Sequence, residues 1–211
     1  MKKLLSQVDH LVLAVPNLEE AIEKVEKLTG VRPKIGGQHQ GRGTWNALLG
    51  LGHASYLELI APDPKQTPPA SGAWMGVDQI TEPTLIHWAA QVNGIHQVIQ
   101  TAKQEQVQIG VLSSGSRTRM NGQVISWMLT EPLKGTDGGI LPFLIDWENS
   151  DHPAQSLPQQ CRLINLEARH PEPDLIKSQL EVLDLELPIE LGIRPQLLAS
   201  IQTPNGVVSF H

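Results

Sequence analysis

A chain of 211 residues with 40% hydrophobic and only 18% charged residues is long enough for one sizeable core or two small ones, and too apolar to stay disordered. A net charge of -6, with no basic patch among its 16 Lys and Arg, argues against nucleic acid as a partner. The single cysteine, Cys161, excludes an internal disulfide framework and fits a reducing compartment, while no apolar run approaches the roughly 18 residues of a membrane span.

The first residues, "MKKLLSQVDH", carry two lysines that imitate a signal peptide, but Ser6, Gln7 and Asp9 break the apolar run, so a cytoplasmic protein is expected. "VDHLVLAV" reads as an apolar strand with a histidine in it. In "PNLEEAIEKVEKLTG", Leu18, Ala21, Ile22, Val25 and Leu28 recur at helical spacing, Asn17 and Glu20 form a capping box, and Gly30 supplies the stop. The short "RPKIGG" and the runs "TWNALLGLG" and "ASYLELIAP" then read as strands, bounded by glycine and proline. The order is strand, helix, strand, strand, strand.

It repeats from Thr84. "LIHWAAQV" is the strand, "GIHQVIQTAKQEQ" places Ile95, Val98, Ile99 and Ala102 on one helical face, and "VQIGVLSS", "VISWMLTE" and "LPFLIDWE" follow as strands. A shorter pass starts at Cys161: "RLINLEA", the helix "PDLIKSQLEVLDL" with Leu175, Ile176, Gln179, Leu180 and Leu183, then "IELG", "LLASIQT" and "VVSFH". The expected fold class is α+β, with repeated βαβββ modules forming a cup-shaped mixed sheet and helices on its convex face. Residues 1–150 hold two paired modules, 6–62 and 84–150, and residues 160–211 a third, placed to buttress the fold or to form a homodimer. Two Pro, Gly and Ser-rich stretches link them: Asp63 to Thr84, read as a linker or a lid, and Asn149 to Gln160.

Alternation along a strand assigns faces. His10, Val12 and Ala14 share one, as do Tyr56, Glu58 and Ile60, His87 and Ala89, and Leu144 and Asp146. If the modules pair about a pseudo-twofold axis, His10, Glu58, His87 and Asp146 meet. Two imidazoles and two carboxylates suit a divalent ion such as Zn, Ni, Mn or Fe(II), with room left for water or substrate. The same residues also read as core histidines and strand-end charges.

The stretch "GGQHQGRGTWNALL" offers His39, Thr44 and Asn46 as hydrogen-bonding groups for a small polar or anionic molecule, or else a plain glycine turn. "SRTRMNGQVISWM" reads as a hairpin turning at Asn121-Gly122. Its Arg117 and Arg119 share parity and make a fork for a carboxylate or phosphate if they point inward, a solvated edge if not. Trp45, Trp88 and Trp147 alternate away from the site residues, so they are expected in the core. Cys161 has no paired base in view and no Gly-x-Ser-x-Gly elbow occurs, which leaves nucleophilic catalysis without support.

The βαβββ repeat, "DHLVLAV" and "YLELI" resemble the vicinal oxygen chelate superfamily, which includes glyoxalase I and extradiol dioxygenases. "GGQHQGRGTWNALLGLG", "YLELIAPDP", "SRTRMNGQVISWMLT" and "PFLIDWENSD" resemble its glyoxalase-like domain family, over roughly residues 6–150. That resemblance implies metal ligands on the first and last strands of each module, which maps onto His10, Glu58, His87 and Asp146. It implies a metal-dependent lyase, isomerase or dioxygenase acting on a small polar carbonyl substrate or its adduct, with Glu58 or Asp146 moving a proton. The alternative is a metal-free small-molecule binding protein of the same fold, in which His10, His39, Asn46 and the arginines hold a small anion.

Overall fold

The computed structural model describes residues 2–118, 124–133, 137–148 and 150–211, with Lys2, Lys3, Arg117 and Thr118 described by their backbone alone. The expected turn at Asn121-Gly122 lies outside the described residues. A short helix, α1 (Lys2–Gln7), not signalled by the hydrophobic period, precedes the first module. That module is β1 (Val8–Ala14), α2 (Leu18–Thr29), β2 (Lys34–His39), β3 (Thr44–Gly50) and β4 (Tyr56–Pro62).

Helix α2 begins and ends where its capping residues place it. The Asn17 side-chain oxygen accepts the Glu20 amide at 3.2 Å, and Gly30 closes the helix in the left-handed region at φ 76°. A Cβ at Gly30 would come within 2.9 Å of the tip of the Asn205 side chain, which would have to move, but it is the left-handed backbone that requires glycine there. The helix buries Leu18, Ala21, Ile22 and Val25 and packs on β3 and β4.

In the sheet β1 runs parallel to β4, β4 antiparallel to β3, and β3 antiparallel to β2, giving the order β2-β3-β4-β1. Every residue of β1 is buried, which is why its sequence, apart from Asp9 and His10, is apolar on both faces rather than alternating.

The second module is β5 (Thr84–Gln91), α3 (Ile95–Gln104), β6 (Leu112–Thr118), β7 (Val124–Thr130) and β8 (Phe143–Asp146), in the order β5-β8-β7-β6. Strand β6 starts five residues later than the run "VQIGVLSS" implies. The Val107 amide bonds the Ala102 carbonyl at 2.8 Å and so finishes the helix turn instead of opening a strand. In β6, Gly115 stands opposite Trp127, and a Cβ there would meet the indole at 2.4 Å; the missing side chain lets the ring lie across the strand.

The remaining elements, β9 (Arg162–His170), α4 (Pro173–Val182), β10 (Ile189–Leu191), β11 (Gln196–Thr203) and β12 (Gly206–Phe210), follow the same order of types. Strand β10 pairs parallel with β9, and β11 forms an antiparallel hairpin with β12. The fold class is α+β with repeated βαβββ modules, as expected.

The chain forms two compact units. One comprises His10–Ile86, Pro153–Ile164 and Leu198–His211; the other comprises Met1–Asp9, His87–His152 and Asn165–Leu197. Within the first, the 3-10 turn Pro153–Ser156 leads Ala154 and Leu157 onto Leu48 and Tyr56 in a small buried cluster. Part of the stretch read as a plain linker therefore contributes core to the first module. No described helix is long and apolar enough to cross a membrane.

Candidate functional site

The register of the first module gathers a set of polar side chains on one face. His10 stands opposite Tyr56, Val12 opposite Glu58, Leu48 opposite Glu58, Asn46 opposite Ile60 and His39 opposite Thr44. Residues opposite one another share a face, so His10, Tyr56, Glu58, Asn46, Thr44 and His39 lie together. Leu11, Leu13, Leu57 and Leu59 point the other way and are fully buried.

Glu58 is the centre of this set, and only 4% of it is exposed. His10 Nε2 lies 3.7 Å from one carboxylate oxygen, and His39 Nε2 lies 3.6 Å from the other. Asn46 Nδ2 donates to the second oxygen at 2.5 Å. The His10 ring stacks on Tyr56 with centroids 4.6 Å apart and planes 10° off parallel, which fixes its plane.

The same Asn46 nitrogen lies 3.3 Å from His39 Nε2, while His39 Nδ1 lies 2.8 Å from Thr44 Oγ1. An amide nitrogen only donates, so Nε2 must accept and the ring proton sits on Nδ1, directed at the threonine. Both Asn46 hydrogens are thus taken by Glu58 and His39. Its oxygen is buried and has no hydrogen-bond partner among the described residues.

The stretch after β4 is folded against this face. The Asp63 carboxylate accepts from Gln38 Nε2 at 2.6 Å, Gln66 Nε2 at 2.7 Å and the Lys65 amide at 2.9 Å. Burial pushes that carboxyl up, but the hydrogen bonds from Gln66, Lys65 and Gln38, with the Lys65 charge, hold it below its ordinary value. Further along, the Trp74 amide bonds the Arg42 carbonyl at 2.9 Å, and the Arg42 guanidinium lies 4.3 Å from the centre of the indole. Trp74 presents itself edge-on to His39, ring centres 5.1 Å apart. Trp74 was not legible as a site residue, because its stretch has no period that fixes a direction.

The second module treats its pair differently. Strand β5 pairs with β8 so that Ala89 faces Phe143, Ala90 faces Leu144 and Gln91 faces Ile145. Asp146 therefore shares the face of Trp88 and Ala90, and His87 the opposite one. Carried along the ladder, Asp146 aligns with position 92, five residues or about 16 Å from His87 at about 3.3 Å per residue.

Asp146 is engaged with α3. One carboxylate oxygen accepts the Gly94 and Ile95 amides at 2.8 and 3.2 Å, and the other the Glu148 amide at 2.9 Å. This anionic cap takes two of the amides left unpaired at the start of the helix. His87 is half-buried, and loss of solvent pushes its pKa down to about 4, so it is neutral at pH 7. The two residues do not converge.

The metal ion implied by the family resemblance can be tested against these positions. Among the described residues, no three His, Cys, Asp or Glu side chains are grouped to hold one metal ion. His10 and Glu58 are close, but Asp146 caps a helix and His87 faces away from it. Within the second module, His87 and Asp146 therefore do not offer one ion a shared pair of ligands.

Arg119 lies outside the described residues, as does the side chain of Arg117. Trp88 is core as expected, donating to the Ile140 carbonyl at 2.8 Å, while Trp45 is only half-buried. Trp147 is not simply apolar packing. It donates to Asp9 Oδ2 at 2.7 Å, and His152 Nε2 lies 3.1 Å from the same oxygen. Asp9 is fully buried. A charged residue near the start of an apolar strand was the available signal for this cluster, and its partners lie more than 130 positions away. Burial pushes the Cys161 thiol up, which does not suit a nucleophile.

The glyoxalase-like domain family matches residues 8–183, and the chain belongs to that family. Along 97% of its length it is similar to 98% of a Staphylococcus aureus protein described as hypothetical, with 17% identity and a TM-score of 0.72. A methylmalonyl-CoA epimerase variant of Streptomyces coelicolor, in complex with 2-nitronate-propionyl-CoA, is 18% identical, with 71% of this chain and 99% of that one covered and a TM-score of 0.48. The epimerase of Mycobacterium tuberculosis is 19% identical over 69% of this chain and 90% of its own, at a TM-score of 0.44. No curated protein matches the sequence.

Proposed function

We propose that this chain is a small-molecule enzyme that moves a proton at a carbon beside a carbonyl, with Glu58 as the base. The observation that supports this reading is a buried carboxylate with an imidazole near each oxygen and an amide fixing its orientation. A carboxylate held in one geometry is a competent general base, and positioned proton transfer contributes about 10²–10⁴-fold to a rate. In the step, the C–H bond breaks, the proton passes to Glu58, and the electron pair moves into the carbonyl as an enolate. An imidazole N–H of His10 supplies a hydrogen bond to the developing oxygen anion. His39, Thr44 and Asn46 hold the polar end of the substrate, and Trp74 keeps water from one side. No part of the step is routed through a metal.

The reading is tested by incubating the protein in D2O with a panel of small hydroxy ketones and hydroxy aldehydes and following loss of the α-hydrogen signal by proton NMR. Glu58→Gln should slow exchange about 10²–10⁴-fold. Equal exchange by wild type and Glu58→Gln overturns the assignment. Repeating the measurement with Zn, Ni, Mn or Fe(II) added reads metal dependence separately. The unpartnered Asn46 oxygen also favours a second reading, a binding protein that holds its ligand without turnover. Saturable binding with no Glu58-dependent exchange across the panel selects it.

A further inference from the structure

We infer that Asn46 reads the ligand: its oxygen takes an O–H or N–H from the bound molecule while its nitrogen holds Glu58 and His39. The inference rests on the proposed site but goes beyond it, since it assigns a ligand class, molecules bearing a hydrogen-bond donor beside the carbonyl, and a residue that selects it.

Three observations carry it. Asn46 is only 5% exposed, and its oxygen has no donor among the described residues. A buried acceptor without a donor is unfavourable, so a ligand that supplies one is selected over an isostere that cannot. Second, the amide cannot turn over to relieve this. A flipped Asn46 would set its oxygen against the Glu58 carboxylate oxygen, two acceptors at the distance now spanned by a hydrogen bond. Third, Asn46 lies on the face that also carries His10, Glu58, Thr44 and His39, so a donor that satisfies it is next to the carboxylate.

The His39 tautomer is part of the same device. With Asn46 donating into Nε2 and Thr44 beside Nδ1, His39 stays an acceptor toward the site until the Asn46 contact is released. Asn46 is therefore a positioning residue for two groups as well as a selector for the ligand.

The test uses the full chain and two neutral probes. Hydroxyacetone carries the donor, and methoxyacetone keeps the carbonyl and the oxygen but has no O–H. Titration followed by ¹H–¹⁵N NMR should give hydroxyacetone about tenfold tighter binding to wild type, and only hydroxyacetone should displace the Asn46 side-chain amide signal. In Asn46→Leu the two affinities should become equal, and the His39 ring nitrogens should lose the Nδ1-protonated pattern.

Should Asn46→Leu fail to fold, the two wild-type readouts still decide. Equal affinity of both probes for wild type, binding of neither, or an unchanged ratio in a folded Asn46→Leu overturns the inference. Because the readout is binding, its failure is distinguishable from failure of the proton-transfer reading. Loss of the ratio with Glu58-dependent exchange intact removes only the role of Asn46. A preserved ratio without exchange removes only the chemistry.

Discussion

His87 gives the sharpest pH test. Its ordinary pKa of 6.5 is pushed to about 4 in the folded chain because its environment withholds the solvent that would stabilise the imidazolium. The unfolded chain takes up a proton as the pH falls through 6.5, whereas the folded chain refuses it until about pH 4. Stability is therefore unaffected by this group above pH 6.5, declines between 6.5 and about 4, and levels off below that. At about 1.4 kcal/mol per pH unit the full effect is about 3 kcal/mol, of which about 2 kcal/mol falls between pH 7 and pH 4.5.

With a urea dependence of about 2 kcal/mol per molar, the unfolding midpoint should drop by about 1 M over that interval. His87→Gln, which cannot titrate, should remove that part of the drop. Asp63 does not confound the comparison. Its folded pKa is depressed, so the stability it contributes is complete above 3.8 and is lost only as the pH falls through its lower folded value. Urea titrations of both proteins at pH 7, 6, 5 and 4.5 make the measurement. Midpoints that fall in parallel would refute a desolvated, neutral His87.

Two further perturbations address the polar groups that are engaged elsewhere in the fold. Asp146→Ala removes the acceptor of two amides at the start of α3 and of the Glu148 amide and should lower stability by about 1–2 kcal/mol, a fall in Tm of about 2–8 °C by calorimetry, whereas Asp146→Asn should retain much of it. A neutral Asp146→Ala would show that the carboxylate does not act as a cap. Asp9→Ala leaves the Trp147 N–H and His152 without their common acceptor and should cost about 3–5 kcal/mol in urea unfolding, with a change in tryptophan emission. A loss below about 1 kcal/mol would mean that the buried cluster is satisfied some other way.

Sequence alone determined the local structure and one half of the polar constellation. Asn17, Glu20 and Gly30 fix the ends of α2 through hydrogen bonds that span at most four residues, so they can be read in order along the chain. Parity placed His10 with Val12 and Glu58 with Tyr56 for the same reason: alternation is a property of a single strand. The β1–β4 register then brings the two together, because their offset in the ladder is only two residues. His39 and Asn46 were legible through the glycine-rich stretch that turns one strand back on the next.

What parity cannot supply is the register between strands, and there the two modules part. His87 and Asp146 occupy the same places in the repeat as His10 and Glu58, yet the β5–β8 ladder sets them on opposite faces. Nor does a sequence show that a carboxylate at a strand end has helix amides within reach, as Asp146 has at Gly94 and Ile95. The joining of Asp9 to Trp147 and His152, and of Trp74 to His39, depends on contacts between segments far apart in sequence. Local hydrogen bonding and alternation are written residue by residue; register and long-range packing follow from which surfaces the whole chain can bury together, and only the tertiary structure decides them.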